Sequence, residues 1–372
     1  MLRMQTNPWC STALLMCLGS SAFAFPVPRP GTEDIPKLVA VSELVCKGEV
    51  VEAPTPTPVL SSADMPRLAV VAKVRPDRCF KGTSNGALIP VLFDGFVSAV
   101  DRSFVLHKGD YRLLFLKAQN GNYAVVDEWF GALPVSSELG STPENGDGID
   151  LLELDLKAGL RDRNAERVLD SIRMLGNMKH LHSTSELAQL LDSSDLLVKT
   201  YVWQALLRLK DYSVLPAVSE FFNTQPEPPH ELSLPRNRLF EIQFELADEI
   251  GVIRDPTVLA FLETFAVTGR GFSLRMNALQ ALRAIGSPHS AAALLKALDD
   301  TNSDNAFSAM QGLLSLAGDG SIGWVPTWKQ FDEAPQLYTA KCREWWYSEG
   351  QQKALIVLLG TPSDQHCRFS EK

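Results

Sequence analysis

The sequence predicts an α+β chain in which a small all-β barrel or sandwich precedes an α-solenoid of helix pairs. Three observations carry that expectation. Residues 38–135 hold short runs of Val, Ile, Leu and Phe broken by Gly, Pro and Asn, the pattern of several short strands joined by turns. From residue 150 onward the apolar spacing becomes helical. Within that part, helix ends recur at a near-constant interval, as in a repeat array.

The 372 residues suit about two domains. Apolar residues make up 45% and charged residues 21%, an ordinary balance for a folded chain. The net charge of −9 repels phosphate backbones, and no Lys/Arg run offsets it, so nucleic acid is not an expected partner. Residues 1–24 have the form of a signal peptide. Arg3 is the basic start, Ala13 to Leu18 the apolar run, and Ala22-Phe23-Ala24 the small-x-small cleavage pattern, which makes Phe25 the mature start. The apolar run is far short of the roughly 20 residues that span a bilayer. Ala354 to Leu359 is also too short. The expected location is therefore periplasmic or extracellular, with no transmembrane segment in the mature chain.

Of six Cys, Cys10 and Cys17 leave with the signal. The remaining Cys46, Cys79, Cys342 and Cys367 allow three connectivities. Pairing within each region favours Cys46–Cys79 and Cys342–Cys367. No CxxC pair or Cys/His cluster at ligand spacing is present, so no metal and no cofactor are expected.

In chain order, Leu38–Val41 and Leu44–Val51 read as strand, Pro54 to Pro58 as a loop, and Arg67–Val74 as strand running on to Gly82. Ala87–Phe93 and Tyr111–Leu116 follow as strands. Asn120-Gly121-Asn122 is a hairpin turn into Tyr123–Asp127. Gly131–Pro134 closes the domain, and residues 136–149, rich in Ser, Gly and Glu, read as a linker. Val45-Cys46-Lys47-Gly48, Cys79-Phe80-Lys81-Gly82 and Lys108-Gly109-Asp110-Tyr111 together resemble an OB-like barrel of the netrin/TIMP-like kind. That resemblance implies a disulfide tying early strands. Its inhibitor members begin the mature chain with a Cys, and here Phe25 stands in that place, so metalloprotease inhibition is not implied.

The helical part spans residues 150–318. Corners fall at Gly176, Lys210, Gly251, Gly286 and Ala317, at spacings of 34, 41, 35 and 31 residues. Pro216, Pro256 and Pro288 sit at the starts of second helices, where a missing N–H costs little. Thr224 to Pro235, centred on residues 225–231 with their three Pro, reads as an exposed insertion. Residues 274–300 form the cleanest unit, two short amphipathic helices joined by Gly286-Ser287-Pro288. Asn277 to Gly286 resembles the HEAT/PBS-type repeat, in which Ala packs between helices and Gly turns the corner. The resemblance implies a HEAT-like α-solenoid and a scaffolding role, and names no partner. Residues 319–372 carry Trp324, Trp328, Trp345 and Trp346 with Phe331, Tyr338 and Tyr347. They read as a cap over the last repeat, with a partner surface as the alternative use.

Patterns that suggest chemistry stand in poor context. Gly82-Thr83-Ser84-Asn85-Gly86 matches a nucleophile elbow but precedes a strand rather than a helix. Gly318 to Gly323 matches Gly-x-Gly-x-x-Gly but follows a helix. Asp300, Asn302 and Asp304 have calcium-loop spacing, with Gln311 where the bidentate Glu belongs. His180, His182 and Glu186 make the one close His/acid group, and read as a solvated corner. The expected function is an exported, non-catalytic protein–protein interaction scaffold. The alternative is an exported enzyme or enzyme inhibitor with its site in the β domain, drawing on Ser84, Asp94, His107, Asp127 and Glu128.

Overall fold

The computed structural model describes residues 33–54, 57–59, 69–84, 86–94, 96–98, 105–141, 147–179, 181–226, 238–318 and 323–359. Residues 1–24, expected as a signal peptide, most of the Pro-rich insertion, His180 and Cys367 lie outside the described residues. The chain divides into two compact units, Met1–Pro134 and Val135–Lys372.

The first unit opens with helix α1, Ile35–Val41. This corrects the strand expected at Leu38–Val41. Asp34 caps the helix by accepting from the Lys37 N–H at 3.1 Å, and Pro36 lies in the first turn, where its fixed φ suits a helix. The strands are β1 (Leu44–Glu52), β2 (Thr57–Val59), β3 (Ala69–Lys81), β4 (Ile89–Asp94), β5 (Phe96–Ser98), β6 (Tyr111–Gln119), β7 (Asn122–Val125) and β8 (Ala132–Pro134). Five of them close a ring in the order β1-β3-β4-β7-β6, with β6 bonded back to β1. All ring pairings are antiparallel except β4–β7. A five-stranded ring with that single parallel closure has the topology of an OB-like barrel.

Asn120 and Gly121, both at positive φ, make the tight β6–β7 hairpin. Bulges in the β1–β3 pairing bend the strands, so β1 can serve both neighbours. At Gly48 the strands approach so closely that a Cβ would lie 2.1 Å from the Arg75 carbonyl oxygen. Alternate residues point inward, and Leu44, Cys46, Val74, Ile89, Val91, Phe93, Leu114 and Leu116 fill the barrel. Cys46 and Cys79 are register partners and form a disulfide.

In the second unit, α2 (Gly148–Gly159) leads into five stacked first helices, α3 (Ala165–Asn177), α5 (Leu196–Arg208), α7 (Arg238–Gly251), α9 (Phe272–Ile285) and α11 (Ser303–Leu316). Between them run the second helices α4 (Thr184–Ala188), α6 (Leu215–Thr224), α8 (Leu259–Thr268) and α10 (Ala291–Ala297). Then follow α12 (Trp328–Glu333), α13 (Pro335–Trp345), a π-helical turn at Trp346–Gly350 and α14 (Gln351–Leu359). Residues 136–141, expected as linker, are held against α2 and the turn that follows it. The Ser136 hydroxyl donates to Asp162 at 2.5 Å, and the Gly140 N–H donates to Asp155 at 2.8 Å.

An Asx residue starts most of these segments. Asn164, Asp195 and Asn302 cap α3, α5 and α11, and Asp211 and Asp255 cap the 3₁₀ turns that enter α6 and α8. Pro216 sits in the first turn of α6, and Pro256 and Pro288 open the turns before α8 and α10, as expected.

The corners fall partly elsewhere. Gly286 takes φ +66° just past α9, as its position requires. Lys210 takes +62° at its corner. The corner expected at Gly176 lies at Lys179 (φ +58°), and that expected at Ala317 lies at Gly318 (φ +63°). Gly176 is inside α3, where a Cβ would come 2.7 Å from the Ala205 Cα, so it permits a close helix crossing. Gly251 ends α7 against the Asn277 side chain.

Each successive pair of first helices also shares a polar rung. Arg208 donates to Asn177 at 3.2 Å and to Glu249 at 3.0 Å. Asn277 donates to Asp248 at 3.3 Å, and Arg283 to Gln311 at 2.6 Å. Apolar stacking is non-directional, so these rungs fix which turn of one helix faces which turn of the next.

Candidate functional site

The aromatic cap is the densest group of functional candidates. A capping box between Thr327 and Gln330 starts α12, and Phe331 then drops, fully buried, beside Phe307 of α11 (5.2 Å between ring centroids). Trp328 packs edge-on to Phe307 at 5.3 Å yet remains 40% exposed. Trp324 is half-buried and meets Trp345 at 6.1 Å. Trp345 and Trp346 are 6% and 2% exposed, so their rings fill the cap interior. Gly350 makes room for them, since a Cβ there would lie 2.9 Å from Trp346. Of the four Trp, Trp328 and part of Trp324 therefore offer surface. Among the described residues, neither buried indole N–H group has an acceptor. Arg343 donates to the Leu295 carbonyl at 3.0 Å and pairs with Asp299 at 2.7 Å, fastening α13 to α10.

Cys342 is a buried free thiol in this cap; burial pushes its pKa up to about 12, with Arg343 opposing. Beyond the cap, α14 exposes Leu355, Ile356, Val357, Leu358 and Leu359, and buries Ala354.

The remaining candidates are occupied in structural roles or stand apart. Asp300 accepts from Arg275 at 2.6 Å and from Asn305 at 3.0 Å, and Asn302 is a helix cap, so this loop is closed by an ion pair rather than open to calcium. No group of His, Cys and acids at metal-binding distance occurs among the described residues.

His182 is exposed and Glu186 faces Lys157. The Lys157 ammonium contacts Glu153 at 3.2 Å and Glu186 at 3.0 Å, and donates to the His182 carbonyl at 2.8 Å. Burial works against its charge, but the two carboxylates overcome that and raise its pKa. Ser183 donates to Glu153 at 2.5 Å in the same network. Asp170 of α3 has its pKa raised by burial, partly offset by Arg173 and Arg167.

In the barrel, Ser84 lines a shallow cleft of about 390 Å³ with Pro76, Asp77, Arg78, Cys79, Gly82 and Thr83. Asp77 there accepts from the Tyr111 hydroxyl at 2.5 Å, and no His is among the described residues that line the cleft. The His107 backbone N–H donates to Asp110 at 3.1 Å. Asp127 shapes its own turn by accepting from the Trp129 and Phe130 N–H groups at 2.8 Å each. Glu128 is exposed, and the Asp94 side chain lies outside the described residues. Residues 319–322 of the Gly318–Gly323 pattern lie outside them too. No helix among the described residues is long and apolar enough to cross a membrane.

The Asx caps were open to sequence inspection as an Asp or Asn directly before α3, α5, α11 and the turns that enter α6 and α8. The Lys157 network was not, because its members come from three separate helical segments.

Residues 274–300 match the family description "PBS lyase HEAT-like repeat". No curated protein matches the chain. Among solved structures, the designed armadillo repeat protein YIII(Dq)4CqI is similar over 55% of this chain and 97% of its own, at 13% identity and a TM-score of 0.31. An engineered protein of the Northeast Structural Genomics Consortium is similar over 55% and 94%, at 17% identity and a TM-score of 0.32.

Proposed function

We propose that the chain is an exported, non-catalytic scaffold that binds protein partners through its HEAT-like solenoid, with Trp328 and the exposed part of Trp324 in the contact surface. The observation that carries this reading is how the solenoid uses its residues. Its Ala and Leu positions stack the helices, its buried acids and bases pair with one another, and the side chains left outward belong to an extended repeat surface. Such a surface suits a partner held by many shallow contacts. Export rests on the predicted signal at residues 1–24 and fits the Cys46–Cys79 disulfide.

The test is quantitative capture of partners by the exported full-length chain, beside a Trp328→Ala variant. The same protein is expected on both baits, with recovery from the variant reduced several-fold. Failure of the intact chain to hold any partner under gentle conditions overturns the scaffold reading. A mature chain that still begins at Met1 overturns export by cleavage.

A further inference from the structure

We infer that the Cys46–Cys79 disulfide is a redox lock: thiols reduce it only after the barrel opens, because the folded chain blocks exchange at the leaving sulfur. Exchange begins when a thiolate attacks one sulfur of the pair and expels the other as a thiolate. The two sulfurs are not equivalent here. Cys46 is fully buried, so no reagent reaches its Sγ in the folded barrel. Cys79 is half-buried and lines the shallow cleft with Asp77, Arg78, Thr83 and Ser84, so attack is confined to that side.

Attack on Cys79 forms a bond from the reagent sulfur to Cys79 Sγ, breaks the bond to Cys46 Sγ and leaves the electron pair on Cys46. That thiolate would stand in the barrel core among Leu44, Val50, Val74, Leu114 and Leu116. Lys47, the next residue, alternates to the other side of β1, where its register partner is Leu113. Apolar surroundings raise a thiol's pKa, and a thiol of high pKa is a poor leaving group. The intermediate is also short-lived. The β1–β3 pairing keeps Cys46 opposite Cys79, so the expelled sulfur re-attacks at an effective concentration that no dissolved thiol matches. A second reagent thiol must take the first off Cys79, giving reagent disulfide and two Cys thiols, and it arrives after the bond has re-formed. Opening the barrel removes both blocks, since Cys46 then meets water and the two cysteines, 33 residues apart, separate. The free thiol of Cys342 cannot replace the reagent: it is buried in the other unit, where burial pushes its pKa up to about 12, with Arg343 opposing. The redox state of the barrel therefore follows its folding. Mild reductants leave the folded chain tied, and a thiol catalyst acts on the open one.

The test is reduction of the mature full-length chain by dithiothreitol across urea concentrations, with freed thiols alkylated and counted by mass spectrometry. A Cys367→Ser background removes the remaining cysteine outside the described residues. In native buffer the reaction is expected to run about 1,000-fold or more slower than in the unfolded chain, the scale set by the unfolded fraction of a stable domain. Its rate should climb with urea below the unfolding transition, in step with hydrogen exchange of the slowest barrel amides. Leu116→Ala, which loosens the barrel core, should raise both rates by the same factor. Should that variant not fold, the urea series decides alone, because it needs no substitution in the barrel. A native-buffer rate that urea does not change overturns the proposal, because it marks direct attack through the cleft. So does a glutathione adduct on Cys79 that accumulates while the barrel amides stay protected. A chain exported with both cysteines as free thiols overturns it as well. None of these outcomes depends on partner capture, which reads Trp328.

Discussion

In the barrel, Cys46 is register partner to both Cys79 and Leu114, so one short strand depends on chain segments far away in sequence. In the solenoid, α9 packs on α7, α8 and α11, its neighbours in the array. The two units therefore divide their risks differently. A barrel closed by distant pairings gains all of them or none, and it benefits from a covalent tie that shortens the search. A stack of helix pairs is a sum of neighbour interfaces, and damage stays near its origin. The same chain places its disulfide in the first unit and its polar rungs in the second, where register between successive helices is the quantity to be held.

The largest effect should come from cutting the tie. Replacing Cys46 and Cys79 by Ala is expected to cost about 2–5 kcal/mol, felt by the barrel alone. Chemical denaturation followed by hydrogen exchange in each unit would show it. Equal loss of protection in α9 would contradict the division drawn above.

Next is Gly176→Ala, which drives a methyl group towards the backbone of Ala205 at 2.7 Å. Backbone cannot swing aside as a long side chain can, so about 1–3 kcal/mol is expected. The loss should be concentrated in α3 and α5 with the barrel unchanged. Gly286→Ala meets nothing nearer than the Arg283 carbonyl oxygen at 3.9 Å and suffers only from its left-handed φ of +66°, so roughly 1 kcal/mol is expected there. A larger loss at residue 286 than at residue 176 in thermal melts would reverse the roles assigned to these glycines. Smaller still is Asp195→Ala, which removes a cap accepting from the Leu197 N–H at 2.8 Å and should cost about 1 kcal/mol or less, read as fraying of α5.

The glycines also show how far this fold could be read from its sequence. The passage from strand to helix periodicity, the hairpin at Asn120-Gly121 and the corner at Gly286 were legible, because each depends on residues adjacent in the chain or on local turn chemistry; the Cys46–Cys79 pair, 33 residues apart, was legible instead from the cysteine count and the region the two share. Gly176 was legible as special but not in kind. A glycine that supplies a positive φ and one that admits a neighbouring helix look alike in a sequence, and only the partner, Ala205, distinguishes them. Helix α1 was hidden because Leu38 to Val41 are good strand formers. What outweighs them is the Asp34 cap, four residues before Leu38, and Pro36, two before it. In the cap, Trp345 and Trp346 are neighbours on a helix, and successive residues in a regular α-helix differ by about 100°, so one should face out. The π-helical turn and the absence of a side chain at Gly350 let both face in, and neither circumstance could be inferred from aromatic density.

The smallest expected effect is one of pH. Lys157 has a folded pKa above the ordinary 10.5: burial opposes the charge, but Glu186 and Glu153 hold it more strongly. A raised pKa means that the folded state keeps its proton longer than the unfolded state. The stabilisation is thus complete below pH 10.5 and is lost as pH rises through the folded value. The side chain is partly solvated, so the contribution should be about 1 kcal/mol or less. Tyr212, its pKa raised by burial and by Asp255, adds to the same alkaline softening of the solenoid. Subtracting the stability profile of Lys157→Met from that of the intact chain isolates the lysine. The difference should be flat from pH 7 to about 10 and shrink above that. A difference that grows with alkalinity would mean the two carboxylates gain nothing from their lysine, and the network joining α2 to the first corner would then be held by Ser183 and Glu153 alone.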